Sequence, residues 1–191
     1  TGHAIIYLDD QSENCIVIHG GANHCFSEET IRSSLCHAKA NDWLVMQNET
    51  NANEIGIRVA RDLGMKIALV AAPFDAATTP AQIERVDLVS MNQTEKELFE
   101  ASVSKSIKAI EGPEFLITYG KSGATFLSGA TEINLDSHCV DALDTTGAGD
   151  TFFGVFLANY VSGMSPDISL ERANAAGALM VQRKGAASVI P

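Results

Sequence analysis

The sequence predicts an α/β fold of three layers: a mainly parallel sheet covered by helices on both faces, preceded by a small β-hairpin. Three observations carry this. From residue 43 onward, short apolar β-type runs alternate with segments of helical period, the pattern of a parallel sheet buried on both sides. Polar or glycine-bearing loops follow most of those runs, where such sheets place their ligands. Before them, two β-rich runs at residues 4–8 and 14–18 flank the turn-forming string Asp9-Asp10-Gln11-Ser12-Glu13.

Taken in order, the hairpin at 4–18 needs a partner sheet, because two strands alone are marginal in water. His19-Gly20-Gly21-Ala22-Asn23 reads as a loop, and Ser27-Glu28-Glu29-Thr30 as a helix start, with Ile31, Leu35 and Ala38 on one apolar face. Cys36 falls on that helical pattern and is expected in the core. Residues 43–46 form a buried strand. Residues 53–63 form a helix with Ile55, Val59 and Leu63 at four-residue spacing, stopped by Gly64. Strands are expected at 66–71 and 86–89, a helix at 92–101, a second helix at 103–110 and a strand at 115–119. Gly120-Lys121-Ser122-Gly123 turns the chain into residues 124–127. Helices at 147–162 and 170–183 complete the body, with Gly163 ending the first and Pro166 in the connection.

With 191 residues, 46% of them hydrophobic, the chain is long enough for one sizeable core. A formal charge of −11 without a basic stripe argues against nucleic acid as a partner. No apolar run approaches a membrane span, and no targeting peptide opens the sequence. Cys15, Cys25, Cys36 and Cys139 form no C-x-x-C pair and are read as reduced thiols of a cytoplasmic protein. The five histidines lack metal-ligand spacing. Thr1-Gly2-His3 enters a strand without an initiator Met, as in a chain cut into.

The chemistry concentrates in Asp144-Thr145-Thr146-Gly147-Ala148-Gly149-Asp150, which opens onto the apolar helical run from Thr151. Bare glycine backbone at a helix start aims N–H groups at one point and makes an anion site. A carboxylate in the first helical turn suits removal of a proton from a hydroxyl that attacks phosphorus. A buried helix capped by Asp144 or Thr145 would need some of the same residues. Gly120-Lys121-Ser122 is not a phosphate-binding P-loop, because Phe115 stands where that motif needs glycine.

The heptapeptide resembles the second signature of the PfkB carbohydrate kinases, the ribokinase-like family, and the resemblance extends over nearly the whole chain. It implies Asp150 as catalytic base, with the backbone of Gly147, Ala148 and Gly149 holding the transferred phosphoryl group. It implies that Asn92 and Glu95, matching N-x-x-E, place magnesium and the nucleotide phosphates. The same two residues also suit a helix cap. Thr118, Gly120 and Gly123 match the family's segment beside the nucleotide, with Lys121 either a participant or a solvated turn lysine, and Asn174 resembles the residue near adenine. Gln47-Asn48-Glu49 matches an element whose glutamate reaches a sugar hydroxyl. Asp144, Thr146, Arg183 and Gly185 fall in the segments that bind a monovalent cation, potassium, although Val189 replaces a frequent serine. Ala71-Ala72-Pro73 departs from the Asn-Pro of many members.

Thr1-Gly2, Ser12-Glu13-Asn14 and Gly21-Ala22-Asn23 are similar to the ribokinase branch rather than to fructokinases or adenosine kinases. The resemblance therefore implies an ATP-dependent sugar kinase acting on the primary hydroxyl of D-ribose. Residues 1–23 would be part of a β lid that also makes a homodimer contact, and 24–191 the C-terminal, nucleotide- and sugar-binding portion of a kinase domain. The family's N-terminal part, with its glycine pair and sugar-binding aspartate, has no counterpart, so this chain alone is expected not to phosphorylate ribose. Alternatives are a kinase for another sugar, such as deoxyribose or fructose, and a non-catalytic fragment or nucleotide-binding partner subunit.

Overall fold

The structure, a computed structural model, describes residues 1–8, 14–185, 188 and 190–191. The expected turn at 9–13 and residues Ala186, Ala187 and Val189 lie outside the described residues. The chain divides into two compact units, Thr1–Phe115 and Leu116–Pro191.

The first unit opens with β1 (His3–Leu8) and β2 (Asn14–His19), an antiparallel pair in the register Ile5↔Val17 and Tyr7↔Cys15. Because strand side chains alternate, Ile5, Tyr7, Cys15 and Val17 share one face. Ile5, Tyr7 and Val17 are 49–60% exposed, so that apolar face is uncovered. After a 3₁₀ turn come α1 (Glu28–Ser34), β3 (Trp43–Gln47), α2 (Asn53–Asp62), β4 (Lys66–Val70), α3 (Thr79–Ile83), β5 (Leu88–Asn92) and α4 (Gln93–Val103). β3, β4 and β5 lie side by side in that order and run parallel. Ile67, Ala68 and Leu69 are fully buried, as expected for a parallel strand covered on both faces. α2 packs on β3 and β4 through a face that buries Ile57, Val59 and Ala60, and it ends before Gly64, which takes φ +69°.

β6 (Glu114–Thr118) leads into the second unit, where β6, β7 (Ala124–Ser128) and β8 (Thr131–Leu135) are neighbours in that order and β7/β8 form an antiparallel hairpin. α5 (Ala148–Val161) and α6 (Pro166–Met180) pack on one another, and α6 reaches β7 and β8. Phe126, Phe156 and Tyr160 form the aromatic heart, with ring centroids 5.5–5.7 Å apart. The expected α/β class with a mainly parallel sheet is therefore present, together with the small hairpin sheet.

Several elements differ from expectation for identifiable reasons. Cys36 is exposed, not core: α1 stops at Ser34, and none of its residues is fully buried. The strand expected at 86–89 runs from Leu88 to Asn92. Asp87 pins its entry, donating its N–H to the Ile67 carbonyl (2.8 Å) and pairing with Arg61 (2.8 Å) and Lys66 (3.3 Å). The helix expected at 103–110 shrinks to a 3₁₀ turn at Ile107–Ala109. Ser104 turns left-handed (φ 52°), and Ser106 spends its hydroxyl on the Lys108 N–H. Pro166 is not in a connection; it opens α6, where a missing N–H costs nothing. β8 and α3 were not anticipated.

α1 is fastened to α2 by charge. Glu28 accepts from Arg58 (2.7 and 3.0 Å) and from Arg32 (2.9 Å). The Arg58 hydrogen bonds, then those of Arg32, hold the Glu28 carboxyl at about 2 against an ordinary 4.5. A depressed carboxylate stabilises the fold above its unfolded value. The clasp is therefore expected to be intact above about pH 4.5 and lost as pH falls through about 2. A carbon-detected NMR titration of Glu28 checks this; a midpoint at the ordinary value would show that the clasp does not form.

Candidate active site

In the second unit, Asp144 organises the polar turn. Its Oδ1 accepts from the Thr146 N–H (2.9 Å) and its Oδ2 from the Gly185 N–H (3.1 Å). The Asp144 and Leu143 N–H groups both donate to the Val181 carbonyl, at 3.2 and 2.7 Å. These bonds, the Thr146 N–H foremost and then the Gly185 N–H, with the nearby Lys184 charge, keep the Asp144 carboxyl below its usual range. The structure thus brings together Asp144, Thr146 and Gly185, three of the four residues expected at a monovalent cation. Arg183 lies in the same turn after α6, its N–H donating to the Met180 carbonyl (3.1 Å). Both Asp144 oxygens face amides, so any cation held here is left mainly to backbone carbonyls.

Gly147 caps α5 in the left-handed region (φ 74°), which a side chain disfavours. The helix ladder begins with the Thr151 N–H donating to the Gly147 carbonyl (2.9 Å), and the first amides of a helix have no acceptor in its own ladder. The Ala148 N–H meets the Thr145 carbonyl at 3.2 Å. An ideal Cβ built at Gly149 meets no atom within 4 Å, so packing does not require glycine there. Asp150 lies in the first turn of α5 and is exposed. The Thr151 hydroxyl behind it is buried without a hydrogen-bond partner among the described residues.

The same helix start borders a cavity of about 530 Å³. Thr118, Gly120, Lys121 and Gly123 form one wall, Ala148 and Gly149 another, and Asn174 a third, so seven of the expected residues share one space. Its size falls in the ordinary range of small-ligand pockets. Gly120-Lys121-Ser122 is a 3₁₀ turn followed by a strand, not by the helix that a P-loop needs. Asn174 is 8% exposed and donates its amide to the Asp136 carbonyl (2.8 Å), which ties α6 to the loop 136–142. That loop contributes further lining from Ser137 to Ala142 that was not foreseen. Gly177, Ala178 and Val181 were missed as well. Their i+3, i+4 and i+7 offsets from Asn174 were a readable signal of one helix face.

In the first unit, Asn92 and Glu95 form a complete capping box. Asn92 Oδ1 accepts from the Glu95 N–H (2.9 Å), and Glu95 Oε2 accepts from the Asn92 N–H (2.8 Å). Burial pushes the Glu95 carboxyl up, against the Asn92 N–H that draws it down. Asn92→Ala is expected to cost about 1 kcal/mol through the lost cap. Urea unfolding checks this, and an unchanged midpoint would rule the cap out.

Glu49 is exposed and follows β3 between two fastened asparagines. Asn48 bonds to Pro73 and Thr79, while Asn51 exchanges two hydrogen bonds with the Phe26 backbone (3.0 and 3.1 Å). Asn48 and Pro73, which follow β3 and β4, are thus in contact.

The pfkB family carbohydrate kinase model matches residues 1–191. The chain is 34% identical to the ribokinase of Haemophilus influenzae, covering 100% of this chain and 66% of that protein. It superposes on the crystal structure of Thermotoga maritima ribokinase with a TM-score of 0.83 at 27% identity, again over 100% of this chain and 66% of the other. The structure of Arabidopsis thaliana ribokinase complexed with ribose and ATP gives a TM-score of 0.78 at 27% identity, with the same coverage. The chain therefore spans about two thirds of the length of these relatives. A family match over every residue, on a fold shared with ribokinases, places the chain in the pfkB family of carbohydrate kinases.

Proposed function

We propose that the full-length protein transfers the γ-phosphoryl group of ATP to the primary hydroxyl of a sugar, with D-ribose the preferred acceptor. One observation carries the reading: the glycine-rich start of α5, an anion-binding element, is itself a wall of the 530 Å³ cavity that Thr118, Gly120, Lys121, Gly123 and Asn174 complete. ATP fits that donor set, which offers room for a base and ribose beside backbone N–H groups for phosphates. Asp150 takes the proton of the attacking hydroxyl, and the amides of the 147–149 turn stabilise charge developing on the phosphoryl oxygens. Glu49 accepts a hydrogen bond from another sugar hydroxyl.

Magnesium suits the reaction by neutralising phosphate charge. Asn92 and Glu95 would act on it through water, since their capping box already uses one oxygen of each. Potassium, held by carbonyls of the turns that Asp144 ties together, would fix the 144–149 backbone. The hairpin, with Ile5, Tyr7 and Val17 uncovered, serves as a lid and pairs with a second copy to form a homodimer.

The test is coupled ADP release by the full-length protein with ATP, magnesium and potassium, comparing ribose, deoxyribose, fructose and no sugar. Ribose is expected to give the highest kcat/KM. Preference for another sugar would move the substrate assignment, and nucleotide binding without sugar-dependent turnover would establish a non-catalytic subunit.

A further inference from the structure

We propose that Asn48 is a positioning residue that aims Glu49 and thereby sets sugar affinity; the inference rests on the reading of Glu49 as a sugar contact. Asn48 stands at the end of β3 and joins three other segments of the first unit. Its main-chain N–H donates to the Ala72 carbonyl (3.0 Å). Its side-chain amide donates to the Pro73 carbonyl (3.0 Å) and to Thr79 Oγ1 (2.9 Å), and its Oδ1 accepts from Asn53 Nδ2 (2.9 Å). Thr79 Oγ1 also accepts the Asp75 N–H (3.1 Å), and Asn53 Nδ2 lies 3.5 Å from Gln82 Oε1. Thr79, Gln82 and Asn53 are 0%, 4% and 5% exposed.

The polarity of this cluster is fixed from one end. A carbonyl only accepts, so Pro73 forces Asn48 to present its NH₂ there and its oxygen to Asn53. Asn53 must then turn its own NH₂ toward Asn48, which leaves Asn53 Oδ1 buried with no hydrogen-bond partner among the described residues. Such an orphan costs stability, whereas an apolar cluster of the same shape would be close to neutral. Stability alone therefore does not account for the arrangement. What the cluster does achieve is direction. Asn48 is held at four points and Asn51 at three, by the Phe26 bonds and by its N–H to the Asn23 carbonyl (3.3 Å). Only Glu49 and Thr50 lie between them, so the backbone that aims the exposed Glu49 carboxylate has little freedom.

Asn48→Asp tests the idea in the full-length protein, because it keeps shape and removes the donor to Pro73. At pH 8 its sugar KM is expected to rise about tenfold over wild type, the scale of one lost hydrogen bond. The ATP KM is expected to stay within about twofold. Repulsion and burial raise the pKa of the introduced carboxyl. As pH falls toward 5.5 it regains a proton that can donate to Pro73, and the mutant-to-wild-type ratio of sugar KM should shrink. A general folding lesion would raise the ATP KM together with the sugar KM. A ratio within twofold at every pH, or a rise that does not shrink, overturns the proposal. Should Asn48→Asp not fold, Thr79→Val decides: a raised sugar KM with unchanged ATP KM supports it, and unchanged sugar KM refutes it. Glu49→Gln runs in parallel. If it leaves sugar KM unchanged, the sugar-contact reading falls and the inference with it; if it raises sugar KM while Asn48→Asp does not, only the inference falls.

Discussion

Asp150→Asn in the full-length protein is expected to lose on the order of 10²–10⁴-fold in sugar-dependent phosphoryl transfer, the usual contribution of a general base. Nucleotide affinity should be nearly unchanged. The two outcomes separate because the backbone and the carboxylate do different work. The left-handed Gly147, the bare Gly149 and the amides at the start of α5 belong to the main chain, and an Asn side chain leaves them in place. The cavity wall formed by Thr118, Gly120, Lys121, Gly123 and Asn174 does not include Asp150. Asparagine keeps the size of the side chain but cannot take up the hydroxyl proton. Steady-state ADP release beside nucleotide titration measures both quantities. A variant retaining most of its turnover would remove Asp150 from the chemistry.

Gly123→Ala is expected to destabilise the second unit by about 3 kcal/mol, combining the cost of an unfavourable backbone region with overpacking, each of order 1–3 kcal/mol. Gly123 sits at φ +97°, its carbonyl accepting the Tyr119 N–H (2.8 Å). A Cβ there would overlap the Leu135 carbonyl oxygen and approach Asp136 Cα to 2.9 Å. Both obstacles are backbone, which cannot swing aside as a flexible side chain can. The register Ala124↔Leu135 would have to open at its first pair. Asp136, whose carbonyl holds Asn174, would move with it and take the cavity wall along. Gly120→Ala is the control: Gly120 is also left-handed (φ 56°), but a Cβ there meets nothing within 4 Å. Its cost should be about 1–2 kcal/mol. Urea midpoints compare the two variants; equal losses would show that the Leu135 obstruction is not real.

Much of the architecture was legible because it depends on local rules. Ile67, Ala68 and Leu69 announced a strand buried on both faces, and Gly64 announced the end of α2. Thr118, Gly120, Gly123, Ala148 and Gly149 were legible because they occur in short, distinctive strings, and Asn174 because it is polar in an otherwise small, apolar helical stretch. Features set by distant partners were not. The start of β5 depends on Asp87 meeting Arg61 and Lys66 from other elements. Asn48 belongs to the Gln47-Asn48-Glu49 string and Asn53 opens a helix, but nothing nearby in sequence foretells Thr79 and Gln82 beside them. Asn92 suits either reading of its motif, and the structure shows the cap directly.

The most direct test of the account is where the phosphate goes. The full-length protein, incubated with ATP, magnesium, potassium and ribose, can be followed by phosphorus–proton correlation NMR of the product mixture. A new phosphomonoester signal, coupled to the two methylene protons of the sugar's primary carbon, is expected to grow in step with ADP. Phosphate appearing only as the free inorganic ion, or on a secondary hydroxyl, would contradict it.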